Sequence, residues 1–139
     1  MNGYDSERIV ESVFKTHKEV NSPELADVIV FNTCHIREKA AEKLYSEIGK
    51  IAELKKSKKN LKLVVAGCVA QAEGKAMIMR QPNIDAIIGP QMYHNFAKIL
   101  DNDTKEKQIK LDFENKNKFN KLGSNRIFSN LSSFLTVQE

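Results

Sequence analysis

The chain has 139 residues, 41% hydrophobic and 29% charged, which suits one domain with an apolar core and a charged surface. Its 22 Lys and Arg against 18 Asp and Glu give a formal net charge of +4, which permits a nucleic-acid partner without requiring one. No apolar run approaches the ~20 residues of a membrane span. The first residues, Met1 to Arg8, lack the basic-then-apolar order of a signal peptide, so the expected compartment is the cytosol and no membrane is expected as partner. There the two cysteines, Cys34 and Cys68, stay reduced and are free thiols or metal ligands rather than a disulfide.

From Ser6 to about His17 the apolar residues Ile9, Val10, Val13 and Phe14 recur at helical spacing, with Asp5 or Ser6 suited to the N-cap. The unbroken run Ala26 to Phe31 reads as a strand covered on both faces. The polar pair Asn32-Thr33 follows and suits the cap of the next helix. Ile36, Ala40, Leu44, Ile48, Ile51 and Leu54 lie 4, 4, 4, 3 and 3 apart, an amphipathic helix. It ends in Lys55-Lys56-Ser57-Lys58-Lys59, where positive charge complements the helix C-terminus. The same lysines also offer a weak, salt-sensitive contact to RNA phosphates.

Leu61 to Gly67 predicts a second strand and Gln71 to about Arg80 a second connecting helix. Ile84 to Pro90 predicts a third strand with its turn, and Tyr93 to Leu100 a third connecting helix. Regular alternation of strand and helix implies an α/β fold: three layers, a mostly parallel sheet with right-handed crossovers and helices on both faces, doubly wound in the flavodoxin or Rossmann manner. This domain is expected over residues 1–100, followed by a polar linker over 101–132 and a strand-like end over 133–139.

In open α/β sheets, binding sites gather beyond the carboxyl ends of the strands. Cys34 closes the first strand of this chain and Cys68 the second. If those strands are neighbours, ~4.8 Å apart, both thiols reach one inorganic centre, and Gly67 lets backbone approach it. The competing reading is two buried thiols packed as small hydrophobes. Two thiolates also fall short of the usual four ligands of a zinc or iron–sulfur site. His17, His35 and His94 are scattered, and neither a G-x-G-x-x-G nor a P-loop is present to cradle phosphates.

The stretch Ala26-Asp27-Val28-Ile29-Val30-Phe31-Asn32-Thr33-Cys34, continued by Ile36-Arg37-Glu38-Lys39-Ala40, resembles the second-cysteine motif of the MiaB-type radical-SAM tRNA methylthiotransferases. Gly67-Cys68-Val69-Ala70-Gln71 is similar to the third-cysteine motif of that family, and Gly89-Pro90-Gln91 to a further signature. Met1-Asn2, with Tyr4-Asp5-Ser6-Glu7, resembles the second half of its opening motif, and Ser133 to Glu139 the lead-in to its radical-SAM barrel. The resemblance implies two 4Fe-4S clusters. One sits in the barrel and binds S-adenosylmethionine. The auxiliary one is held by three cysteines of the N-terminal domain and takes part in sulfur insertion. Cys34 and Cys68 are then two of those three ligands. The third is expected upstream of Met1, on a first strand missing from this chain, and the barrel motif after Glu139. On that reading the chain is a fragment, inactive alone, whose full-length enzyme acts on tRNA as a monomer. Arg37-Glu38-Lys39-Ala40 is similar to members that methylthiolate isopentenylated adenosine beside the anticodon; siblings with other substrates differ there. The alternative is a non-catalytic α/β binding module or the remnant of a decayed gene.

Overall fold

A computed structural model describes residues 2–33, 38–101 and 107–111. Cys34, His35 and the segment 133–139 lie outside the described residues, as do most of residues 101–132.

Four strands form one all-parallel sheet: β1 (Val28–Thr33), β2 (Lys62–Gly67), β3 (Ala86–Ile88) and β4 (Gln108–Lys110), in that spatial order. The helices are α1 (Asn2–Val13), α2 (Glu38–Ser57), α3 (Cys68–Glu73), α4 (Lys75–Arg80) and α5 (Phe96–Asp101), with a 3-10 helix at Pro90–Asn95. None of the described helices is long and apolar enough to cross a membrane.

Alternation along the strands builds two cores. Val28, Val30, Val64, Ala66, Ala86 and Ile88 face one side, where they meet Ile9 of α1, Met92 and Tyr93 of the 3-10 helix, and Phe96, Ile99 and Leu100 of α5. Ile29, Phe31, Leu63, Val65 and Ile87 face the other, against Leu44, Tyr45 and Ile48 of α2, Val69 and Ala70 of α3, and Met77 of α4. The three-layer α/β fold with helices on both faces is therefore present. Each large apolar side chain fully removed from water contributes about 1.5–3 kcal/mol. Phe96, Ile48, Leu61, Leu63, Met77, Ile84, Ile87 and Ile88 are all in that state.

Several local expectations are corrected. Asp5 and Ser6 do not cap α1; the helix begins at Asn2 and both lie within its opening turns. The helix expected over Gln71 to Arg80 starts at Cys68 and is two helices, α3 and α4, broken at Gly74. Gly74 has φ +50, a conformation open to glycine and costly for other residues, and its N–H closes α3 by donating to the Ala70 carbonyl at 3.0 Å. Periodicity gave no sign of β4, which lies within the stretch that composition reads as polar linker. Its pairing of Ala86, Ile87 and Ile88 with Gln108, Ile109 and Lys110 carries the sheet beyond residue 100.

Candidate cysteine site at the carboxyl edge of the sheet

β1 and β2 are direct neighbours in parallel register, from Val28↔Lys62 to Thr33↔Gly67. The last paired residues are thus those immediately before Cys34 and Cys68. Cys68 opens α3 and its side chain is exposed, so the buried-hydrophobe reading does not hold for it. Among the described residues no group of three His, Cys, Asp or Glu side chains is placed to hold a metal ion.

Gly67 has φ +100, and a Cβ there would stand 2.2 Å from the Thr33 carbonyl oxygen and 3.0 Å from Asn32 Oδ1. This glycine admits the neighbouring strand: β1 backbone fills the space a side chain would take. The turn from β2 into α3, and with it the placement of Cys68, depends on that close approach.

Asn32 and Thr33 are the last two residues of β1, and among the described residues they fasten the strand ends. Thr33 Oγ1 donates to the Ala66 carbonyl of β2 at 2.8 Å. Asn32 Nδ2 donates to Ser6 Oγ of α1 at 3.0 Å, and Asn32 Oδ1 accepts from the Tyr93 hydroxyl at 3.4 Å. Burial raises the Tyr93 phenol well above the usual tyrosine range, and negative charge at Asp5 and at Cys68 acts in the same direction. Electrostatically, Tyr93, Asp5 and Cys68 share one neighbourhood.

The other half of the edge is held by Gln71 of α3. Its Nε2 donates to the Leu111 carbonyl beyond β4 at 3.1 Å. A Cβ on Gly89 would stand 2.0 Å from Gln71 Oε1, so the side chain crosses the end of β3 where glycine leaves room. Gly89 N–H donates to the Lys110 carbonyl at 2.9 Å. The residues Cys68 to Gln71 and Gly89 to Gln91, noticed in the sequence as separate motifs, are neighbours at one edge.

The basic run lies elsewhere. Lys55 pairs with Asp85, ahead of β3, and donates to the Asn83 carbonyl at 2.8 Å. Lys58 donates to the Ala26 carbonyl at 2.7 Å and pairs with Asp27, ahead of β1, at 3.0 Å. Lys56 pairs with Glu53 at 2.7 Å. Lys55 and Lys58 thus fasten the amino ends of β3 and β1, at the opposite end of the sheet from Cys68, while Lys56 is paired within α2.

Comparison with known proteins accords with the motifs. The model of uncharacterized protein family UPF0004 matches residues 1–89. The chain belongs to that family. The chain is 48% identical over 141 residues to the tRNA-2-methylthio-N(6)-dimethylallyladenosine synthase of Jannaschia sp., an alignment covering 100% of this chain and 30% of that protein. It is 50% identical over 143 residues to the synthase of the same name from Ruegeria pomeroyi, and 44% identical over 145 residues to that of Maricaulis maris, covering 100% of this chain and 32% of each. The resemblance read from the cysteine motifs is thus borne out. The chain spans about 30% of the length of the curated relatives it matches.

Proposed function

We propose that this chain is the auxiliary-cluster domain of a tRNA methylthiotransferase that adds a methylthio group to isopentenylated adenosine beside the anticodon. The observation that carries this reading is the register Thr33↔Gly67, followed on each strand by a cysteine, with the Cys68 thiol exposed at the carboxyl edge. The names of the relatives it matches suggest the substrate.

The donor set fits an iron–sulfur cluster in kind, since thiolates are its usual ligands, and falls short in number, since the chain has two cysteines. Cys34 and Cys68 would hold the 4Fe-4S cluster, with the remaining ligation from outside these 139 residues. What a bound auxiliary cluster supplies is participation in sulfur insertion. The second cluster and S-adenosylmethionine belong to the part of the full-length enzyme that this chain does not span. The chain's own residues present the Cys68 thiol: Gly67 lets β1 and β2 close up, Thr33 ties their ends, and Gln71 anchors the helix that starts at Cys68. The full-length enzyme is expected to act on tRNA in the cytoplasm as a monomer.

Anaerobic reconstitution with iron and sulfide tests the assignment. The chain alone is expected to retain little cluster. A version preceded by the corresponding cysteine-bearing segment of a relative is expected to bind it stably. In that version Cys34→Ala or Cys68→Ala abolishes binding and His35→Ala does not. An extended protein that stays colourless, or binds equally well without Cys68, refutes the ligand assignment and favours a non-catalytic binding module.

A further inference from the structure

Cys68 stands on a helix too short to hold itself in place. α3 has six residues, and an isolated helix of that length is unstable in water, so tertiary contacts decide where it lies. Val69 and Ala70 press one face of it into the core, while Cys68 and Ala72 face water. Gln71 lies on the border between these faces, half-buried and next to Cys68, since residues three apart are neighbours on a helix surface. Apolar contact through one valine and one alanine has no direction and leaves rotation about the helix axis weakly fixed. A hydrogen bond at the border opposes that rotation.

The partner of Gln71 belongs to the end of β4. Gln71 Nε2 donates to the Leu111 carbonyl at 3.1 Å, and Leu111 Cδ1 stands 3.1 Å from the position a Cβ would take on Gly74. The residue after β4 thus meets α3 by its carbonyl at Gln71 and by its side chain at the helix end. The Gln71 amide passes Gly89, where a Cβ would overlap its oxygen, and Gly89 N–H donates to the Lys110 carbonyl at 2.9 Å. One amide therefore spans the ends of β3 and β4. β4 has three residues and is the last strand of the described sheet. So short an edge strand is held by few backbone bonds and belongs to the less stable part of the fold.

We propose that Gln71 is a positioning residue through which β4 sets the placement of Cys68. While β4 is paired with β3, the amide holds the first turn of α3, and the thiol on it, in one orientation. When β4 parts from β3, that turn is free to roll. The bearing of this device on the reaction rests on the ligand reading of Cys68; the device itself concerns that thiol alone.

A nitroxide spin label on Cys68 provides the test. Cys34→Ser leaves Cys68 as the single thiol of the 139-residue chain, and the label's resonance line shape separates held from mobile populations. Gln71→Met keeps the side-chain volume and removes the donor. It is expected to raise the ratio of mobile to held label roughly fivefold, the effect of one neutral hydrogen bond. Gly89→Ala, which leaves Gln71 in the chain and takes the space of its amide, is expected to act in the same direction. So is Gln108→Pro, which removes the bond from the Gln108 N–H to the Asp85 carbonyl and loosens β4. Gln108→Pro combined with Gln71→Met is expected to add nothing to the larger single effect, since the two act in series. Ile99→Val, a core change on α5, lowers the urea midpoint and leaves the line shape unchanged. The inference is overturned if Gln71→Met leaves the line shape of its parent, or if the effects of Gln71→Met and Gln108→Pro add. Cluster uptake by the cysteine-extended protein tests the ligand reading separately: an extended protein that stays colourless, with a line shape that still depends on Gln71, refutes that reading and supports the placement of the thiol by Gln71.

Discussion

The two ends of the sheet are built from different chemistry. At the amino ends, lysines reach carbonyls and carboxylates: Lys58 meets Ala26 and Asp27, Lys55 meets Asn83 and Asp85, Lys62 donates to the Leu100 carbonyl, and Lys107 to that of Pro82. At the carboxyl ends, neutral side chains and glycines do the joining: Asn32, Thr33, Gly67, Gln71, Gly89 and Tyr93. A long lysine spans a gap on a flexible stem and tolerates small shifts. Amides, hydroxyls and glycine contacts hold only at close range. The tight end is the one that carries Cys68, and the loosely tied end carries most of the local charge.

The contrast is broken most severely by Gly67→Ala. The new Cβ meets Thr33 backbone, and φ +100 is strained for alanine. A loss of about 3 kcal/mol or more is expected in urea denaturation. A variant that folds normally would show that the strand ends are less tightly joined than this account requires.

Asp85→Ala probes the opposite end. Asp85 Oδ2 accepts from Leu63 N–H at 2.7 Å as well as from Lys55. Removing it leaves a strand N–H without its acceptor and is expected to cost about 1–2 kcal/mol. Iron and sulfide uptake by the cysteine-extended protein should be unchanged, and a change would mean the two edges are coupled.

Between the edges, Tyr45 of α2 donates to Glu73 of α3 and lies under Arg80 of α4, 3.9 Å from guanidinium carbon to ring centroid. Burial, then the hydrogen bond to Glu73, push its phenol up to about 12 from the ordinary 10.0. Above pH 10 the unfolded chain releases this proton first. The stability linked to Tyr45 is therefore complete below pH 10 and is lost as pH rises toward 12. Tyr93 shifts the same way, so Tyr45→Phe should roughly halve the fall in stability over that range. An unchanged alkaline limb in chemical denaturation would count against this.

The smallest effect is expected for Lys56→Ala, whose partner Glu53 is equally exposed. Stability should move by no more than about 0.5 kcal/mol. If tRNA binding by the full-length enzyme fell sharply in this variant, the amino edge would be a nucleic-acid surface after all.

Legibility followed element length and burial. β2 was readable because all but its first residue is buried, which gives an unbroken apolar run. β4 was not, because three residues of mixed polarity carry no periodic signal and its order comes from pairing with β3. Cys68 was legible as the residue closing a strand, and its motif as that of a family. Its surroundings were not, because Asn32 lies 26 residues from Ser6 and 61 from Tyr93 along the chain.

By itself the sequence determined the α/β class, the succession of buried strands and amphipathic helices, and the placement of both cysteines just past strand ends. These depend on local periodicity, which each segment carries within its own residues. Only the tertiary structure decided that β1 and β2 are neighbours in a register that ends at Thr33 and Gly67, that Gly67 makes room for backbone, and that the lysines serve the far edge. Those outcomes depend on which surfaces meet across the chain, and close packing selects a single arrangement among many that the same local pattern allows.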